Sequence, residues 1–71
     1  APEDGLYFYR ILSERCRRFL KEDGWLLFEI GYRQGSAVSQ FLQENGFDQI
    51  RVIPDYGGND RVVIGHLPRN Q

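Results

Sequence analysis

Trp25-Leu26-Leu27-Phe28-Glu29-Ile30-Gly31 is the stretch on which the fold turns. Six of its seven residues are apolar or glycine, and Gly24 and Gly31 bound it. A short apolar run between turn residues is the pattern of a strand buried on both faces, as strands inside α/β layers are. Amphipathic segments lie on either side of it in the chain, which suits a strand flanked by helices. Glu29, the one charged residue, falls at the carboxyl end, the edge where open α/β sheets hold their ligands.

Upstream, apolar residues recur at Leu6, Tyr9, Leu12, Cys16, Phe19 and Leu20, in steps of three or four. That period predicts a first helix, with Arg10, Ser13, Glu14, Arg17, Arg18 and Lys21 largely on its opposite side. Glu3 and Asp4 place negative charge at its amino end, cations crowd its last turn, and Gly24 stops it before the strand.

Downstream, Gly31-Tyr32-Arg33-Gln34-Gly35-Ser36 reads as a turn. A second helix is predicted from about Gln34 or Ser36 to Asn45, with Ala37, Val38, Phe41 and Leu42 as its apolar stripe and Asn45-Gly46 as its stop. Ile50, Val52 and Ile53 mark a second strand that Pro54 ends, and Arg61-Val62-Val63-Ile64-Gly65-His66-Leu67 a third. The first two strands and their helix form a βαβ unit with parallel strands. The short Asp55–Asp60 connection makes the last two strands an antiparallel hairpin. The third strand has the most continuous apolar run after the first, so the expected order is first-third-second. Pro68-Arg69-Asn70-Gln71 is expected to fray.

The first strand then keeps one unpaired edge, an aggregation liability in a free-standing protein. The expected remedy is more sheet in a longer parent chain; without it, the chain should self-associate through that edge. The absence of methionine agrees with a processed product or excised piece. Residues 1–71 are thus expected to be a single partial domain, too small for a large core.

Nine basic residues against ten acidic, net −1, argue against a dedicated nucleic-acid or anionic-membrane binder. No apolar run approaches the ~20 residues that span a bilayer. The single cysteine, Cys16, excludes an intrachain disulfide and suits a reducing compartment, so a cytoplasmic location is expected.

Asp4-Gly5-Leu6 with Tyr9-Arg10, then Gly24-Trp25-Leu26-Leu27-Phe28-Glu29-Ile30-Gly31 and Gln34-Gly35, resemble the C-terminal part of one family. So do Gly46-Phe47, Asp55, Gly58 and Asp60-Arg61-Val62-Val63-Ile64-Gly65. The family is the HemK/PrmC-type protein-(glutamine-N5) methyltransferases, which modify peptide chain release factors. The most specific pieces are the spacing of Glu29, Gly31 and Gln34 and that of Asp55, Gly58, Arg61 and Val62.

The resemblance implies a class I S-adenosylmethionine-dependent methyltransferase fold, Rossmann-like, with a seven-stranded sheet ending in a reversed hairpin. This chain would supply the last three strands and two helices. In that family the glycine-rich cofactor loop, the acidic ribose partner and the Asn-Pro-Pro-Tyr motif lie upstream. The sequence here contains no Gly-x-Gly and no Asn-Pro pair. S-adenosylmethionine is therefore expected to serve the parent enzyme and not to bind these residues alone, which should show no turnover. The partner implied is a release factor, met through the full-length enzyme, with no membrane and no direct nucleic-acid contact. Two rival readings stay open: part of another class I enzyme that methylates nucleic-acid amines, and a free-standing α/β interaction module without enzymatic role.

No catalytic, cofactor-binding or metal-ligating residue is assigned. Four residues are candidates for lining a cleft rim or bracing its loops. Glu29 could line the rim or hold a neighbouring loop, or be a buried acid satisfied by backbone donors of the next turn. Gln34 could brace the same loop or merely start the second helix. Asp55 and Arg61 could clamp the Gly57-Gly58 connection near a substrate or simply close the hairpin. Arg10, Arg17, Arg18 and Lys21 read better as a solvated helix face than as a basic patch, and Cys16 as a core residue rather than a nucleophile. Tyr7, Phe8 and Tyr9 read as core and Gly57-Gly58 as a plain turn. His66, the only histidine, cannot build a metal site by itself.

Overall fold

A computed structural model describes residues 5–69. The elements run α1 (Leu6–Phe19), β1 (Trp25–Glu29), α2 (Gly35–Glu44), β2 (Asp48–Pro54) and β3 (Asp60–His66). The sheet order is β1-β3-β2, with β3 antiparallel to both neighbours, so β1 and β2 run parallel with β3 inserted between them. The order is the one that apolar content predicts, and the reversed last strand the one that the short Asp55–Asp60 connection predicts.

Each element starts and stops for a local reason. Gly5, at φ +86°, turns the chain into α1, and Arg17 and Arg18 stand in its last turn, where the helix dipole favours cations. Leu20 then turns extended, and α1 ends. Gly46, at φ +86°, ends α2, where a side chain would be strained; Asn45 caps the helix by donating its side-chain amide to the Phe41 carbonyl. The contribution expected of Glu3 and Asp4 lies outside the described residues, as do Asn70 and Gln71.

The core is Phe28 and Ile30 from the first strand and its exit, Val38 and Leu42 from α2, Phe47 before β2, and Val63 from β3. Leu6, Tyr9 and Leu12 close over it from α1, and Leu20 from just beyond the helix. Tyr9 stacks edge-on against Phe28, with ring centroids 5.2 Å apart. Gly65 has no side chain because Leu42 fills that place: a Cβ there would lie 3.0 Å from Leu42 Cδ1.

β1 departs from its expected burial on both faces. Directly paired residues of an antiparallel ladder share a face. Leu26 and Phe28 therefore face the helices with Gly65 and Val63, whereas Trp25, Leu27 and Glu29 share the other face with His66, Ile64 and Val62. Ile53, opposite Val62, joins that second face. Trp25 is 51% exposed and Leu27 60%. Both helices pack on the face of Phe28 and Val63, and the shortest dimension of the described residues, 15 Å, accommodates a sheet and one helical layer. The continuous apolar run signals two coverable faces, of which this chain covers one.

Residues of α1 also depart from expectation: Tyr7 and Phe8, read as core with Tyr9, are 54% and 62% exposed, and only Tyr9 reaches the core. Phe19, placed on the apolar stripe, is 83% exposed: the helix ends at this residue, and Leu20 turns in to reach the core instead. Ser13, placed on the polar side, is fully buried; its hydroxyl donates to the Tyr9 carbonyl at 2.7 Å, so no polar group is stranded. The tail also holds more than expected, since Arg69 reaches Asp23 at 3.5 Å. Among the described residues no helix is long and apolar enough to cross a membrane.

Candidate functional site

The carboxyl end of β1 gathers the sequence candidates into two loops. The turn after β1 is closed on itself: the Gly31 N–H donates to Gln34 Oε1 at 2.8 Å, and the Gln34 N–H returns to the Gly31 carbonyl at 3.0 Å. Tyr9 ties this end of the strand to α1 by donating its phenol to the Glu29 carbonyl at 2.5 Å. The Glu29 side chain itself is exposed on the uncovered face of the sheet. The alternative of a buried acid satisfied by the next turn is thereby excluded, since the turn's amide is taken by Gln34.

The second loop is the β2–β3 connection. Asp55 Oδ1 accepts from the Gly57 and Asn59 N–H groups at 2.8 and 3.0 Å, and Arg61 Nη2 lies 3.3 Å from Asp55 Oδ2. The Asn59 amide, then that of Gly57, then the Arg61 guanidinium hold the Asp55 carboxyl below the usual aspartate range. Gly58, at φ +84°, allows the chain to fold back, and Tyr56 projects fully into solvent at the tip.

α2 begins between these loops. A Cβ on Gly35 would lie 2.6 Å from Asp60 Oδ2 and 3.2 Å from Val52 Cγ1, so only glycine lets the helix start this close to the sheet. The Asp60 carboxylate thus stands at the amino end of α2, where the helix dipole and free amides would otherwise receive a ligand's anionic group. Gln34 Oε1 is thus engaged by its own turn, and Asp60 already stands at the start of α2.

A concavity of about 410 Å³ lies elsewhere, bordered by Arg17, Arg18, Leu67 and Arg69. Among the described residues no group of three or more histidine, cysteine or acidic side chains is arranged to hold a metal ion.

One cluster escaped the sequence reading. His66 Nε2 lies 2.6 Å from Asp23 Oδ1, and its Nδ1 lies 2.7 Å from Asp48 Oδ1. Its side chain is 11% exposed, and the Trp25 ring sits 4.9 Å away, tilted by 51°. The lone histidine carried no spacing signal toward two aspartates distant in sequence; only the sheet register joins them.

No family model matches the chain. Curated proteins do. A release factor glutamine methyltransferase of Fusobacterium nucleatum is 51% identical over 61 residues, which is 86% of this chain and 17% of that protein. One of Vibrio cholerae is 46% identical over 65 residues, 92% of this chain and 23% of the relative. A bifunctional methyltransferase of Rickettsia felis is 42% identical over 64 residues, 90% of this chain and 12% of its own length. The chain thus spans less than a quarter of each of these three relatives.

Proposed function

From the premise that this chain is similar, over 86% of its length, to part of a release factor glutamine methyltransferase, we propose that it is the closing portion of such an enzyme. In the intact enzyme a methyl group would pass from S-adenosylmethionine to a glutamine side-chain amide of a peptide chain release factor. The observation that carries this reading is the 51% identity to the Fusobacterium nucleatum relative. The sheet order β1-β3-β2 with a reversed last strand agrees with the way such a methyltransferase sheet ends.

The residues here contribute position rather than reaction. Gln34 braces the turn after β1, Asp55 and Arg61 brace the β2–β3 turn, and Glu29 presents a carboxylate at the rim between them. No chemical step runs through these side chains. The uncovered sheet face and the outer edge of β1 are the surfaces on which the remainder of the enzyme rests.

A transplant tests the reading. The matching 61 residues of the Fusobacterium nucleatum relative are replaced by the corresponding stretch of this chain, and glutamine methylation of a release factor is followed by peptide mass spectrometry. Retained methylation supports the proposal. A soluble, cooperatively folded chimera that binds S-adenosylmethionine but leaves the release factor unmodified contradicts it.

A further inference from the structure

His66 joins three segments that are far apart in the sequence: the α1–β1 turn through Asp23, the start of β2 through Asp48, and the end of β3 on which it sits. Both ring nitrogens face carboxylate oxygens within 2.7 Å. A neutral imidazole carries one N–H and can satisfy only one of them; the other carboxylate would face a lone pair. The geometry therefore demands the doubly protonated ring. Asp23 and Gln49, one at each of the two segments held, are also the non-glycine residues with positive φ among those described, at +68° and +49°. A glutamine in the left-handed region is held there against its preference.

We propose that His66 is a pH-sensitive clamp whose imidazolium form pins the start of β2 and whose neutral form releases it. The two sides are unequal. The Asp23 turn keeps its place without the ring, because the Asp23 N–H donates to the Leu67 carbonyl and the Leu67 N–H to the Gly24 carbonyl, each at 2.8 Å. Arg69 also stands behind Asp23 at 3.5 Å. Asp48 is itself paired with His66 in the β2–β3 ladder, but the register is irregular between Asp48 and Arg51, so the ladder beyond that first pair is not continuous. Gln49 Nε2 already lies 3.4 Å from His66 Nδ1, positioned to donate to that nitrogen once its proton leaves. Loss of that proton thus removes the short Asp48 bond and leaves only the longer Gln49 contact to hold the start of β2.

The charged groups that face the ring are Asp48 from β2 and Asp23 from the turn, with Arg69 acting through Asp23; β1 contributes the uncharged Trp25. The hydrogen bond to Asp48, then that to Asp23, holds the His66 ring above the usual imidazole range against its partial burial. The same contact holds Asp23 below the usual aspartate range. The raised histidine contributes stability that is complete below an ordinary value of about 6.5. That contribution is lost as pH rises through the folded value.

The test is a titration of the 71-residue chain from about pH 5 to about pH 9, spanning the imidazole range. It reads ring-nitrogen NMR shifts of His66, the emission of Trp25, which a protonated imidazole quenches, and amide exchange over residues 47–50. The clamp predicts one common midpoint above the ordinary imidazole value. Emission rises through it, and exchange at Gln49 and Ile50 increases several-fold beyond the base-catalysed rise. In Asp48→Asn the midpoint falls and the exchange step disappears. A wild-type midpoint at or below about 6.5 overturns the proposal. So does exchange over residues 47–50 that ignores the ring, or an Asp48→Asn midpoint equal to wild type. Should that variant fail to fold, the wild-type ring and exchange titrations decide the matter alone.

Discussion

Asp55 closes the β2–β3 turn with bonds to two backbone amides and only secondarily with the Arg61 pair. An exposed ion pair contributes little, whereas two charge-assisted bonds to backbone donors fix the loop. Asp55→Ala should therefore lower the urea midpoint more than Arg61→Ala, and equal losses would contradict that ranking. Because the folded Asp55 carboxyl lies below its ordinary value of 3.8, its contribution is present above that value and lost as pH falls through the folded one. The difference between Asp55→Ala and wild type should accordingly shrink on acidification. Ser39 makes the opposite case: its Oγ is buried with no partner among the described residues. Ser39→Ala should stabilise the chain by about 0.5–2 kcal/mol, from relief of the unsatisfied hydroxyl and better helix propensity, measured by chemical denaturation. Glu29→Gln should leave stability within about 0.5 kcal/mol of wild type, since its side chain is exposed and no hydrogen bond or ion pair of it is seen among the described residues. In the transplanted enzyme the same change should reduce methylation if the carboxylate lines the cleft rim.

At the scale of elements, α2 is the keystone. Val38 and Leu42 are fully buried between the sheet and α1, and the missing side chain of Gly65 makes room for Leu42. Leu42→Ala should cost about 2–5 kcal/mol and Gly65→Ala about 1–3 kcal/mol, the first by a cavity and the second by overpacking. Smaller losses in both would mean that α2 is loosely seated. These elements were readable because their periodicity is local: the apolar steps of α1 and α2, the left-handed Gly46 and the Asp55–Asp60 turn all announce themselves within a few residues. The order β1-β3-β2 was readable because apolar content ranks strands by burial. Ser13 and Phe19 were not readable, since a helix end and the bond of a serine to its own helix decide them. Nor was the second face of β1, because a sequence records that a face is meant for burial without recording what covers it.

At the scale of the whole molecule, that uncovered face is the main unresolved demand of the sequence. Trp25, Leu27 and Ile53 remain exposed on it beside Val62 and Ile64, and β1 has a neighbour on one side only. The isolated chain should therefore self-associate, and Leu27→Lys should return it toward a monomer in sedimentation velocity. A wild-type chain that stays monomeric at high concentration would mean that the face needs no cover. The clamp at His66 was invisible for a related reason: Asp23, Asp48 and His66 meet only once all three strands are in register. The candidate loops, by contrast, are built from residues three to six positions apart, which is why Gln34, Asp55 and Arg61 could be singled out beforehand. On the function proposed above, the cofactor site lies in the rest of the enzyme and not in these residues. Calorimetric titration of S-adenosylmethionine into the 71-residue chain tests that most directly: no saturable binding is predicted, and saturation in the micromolar range would contradict it.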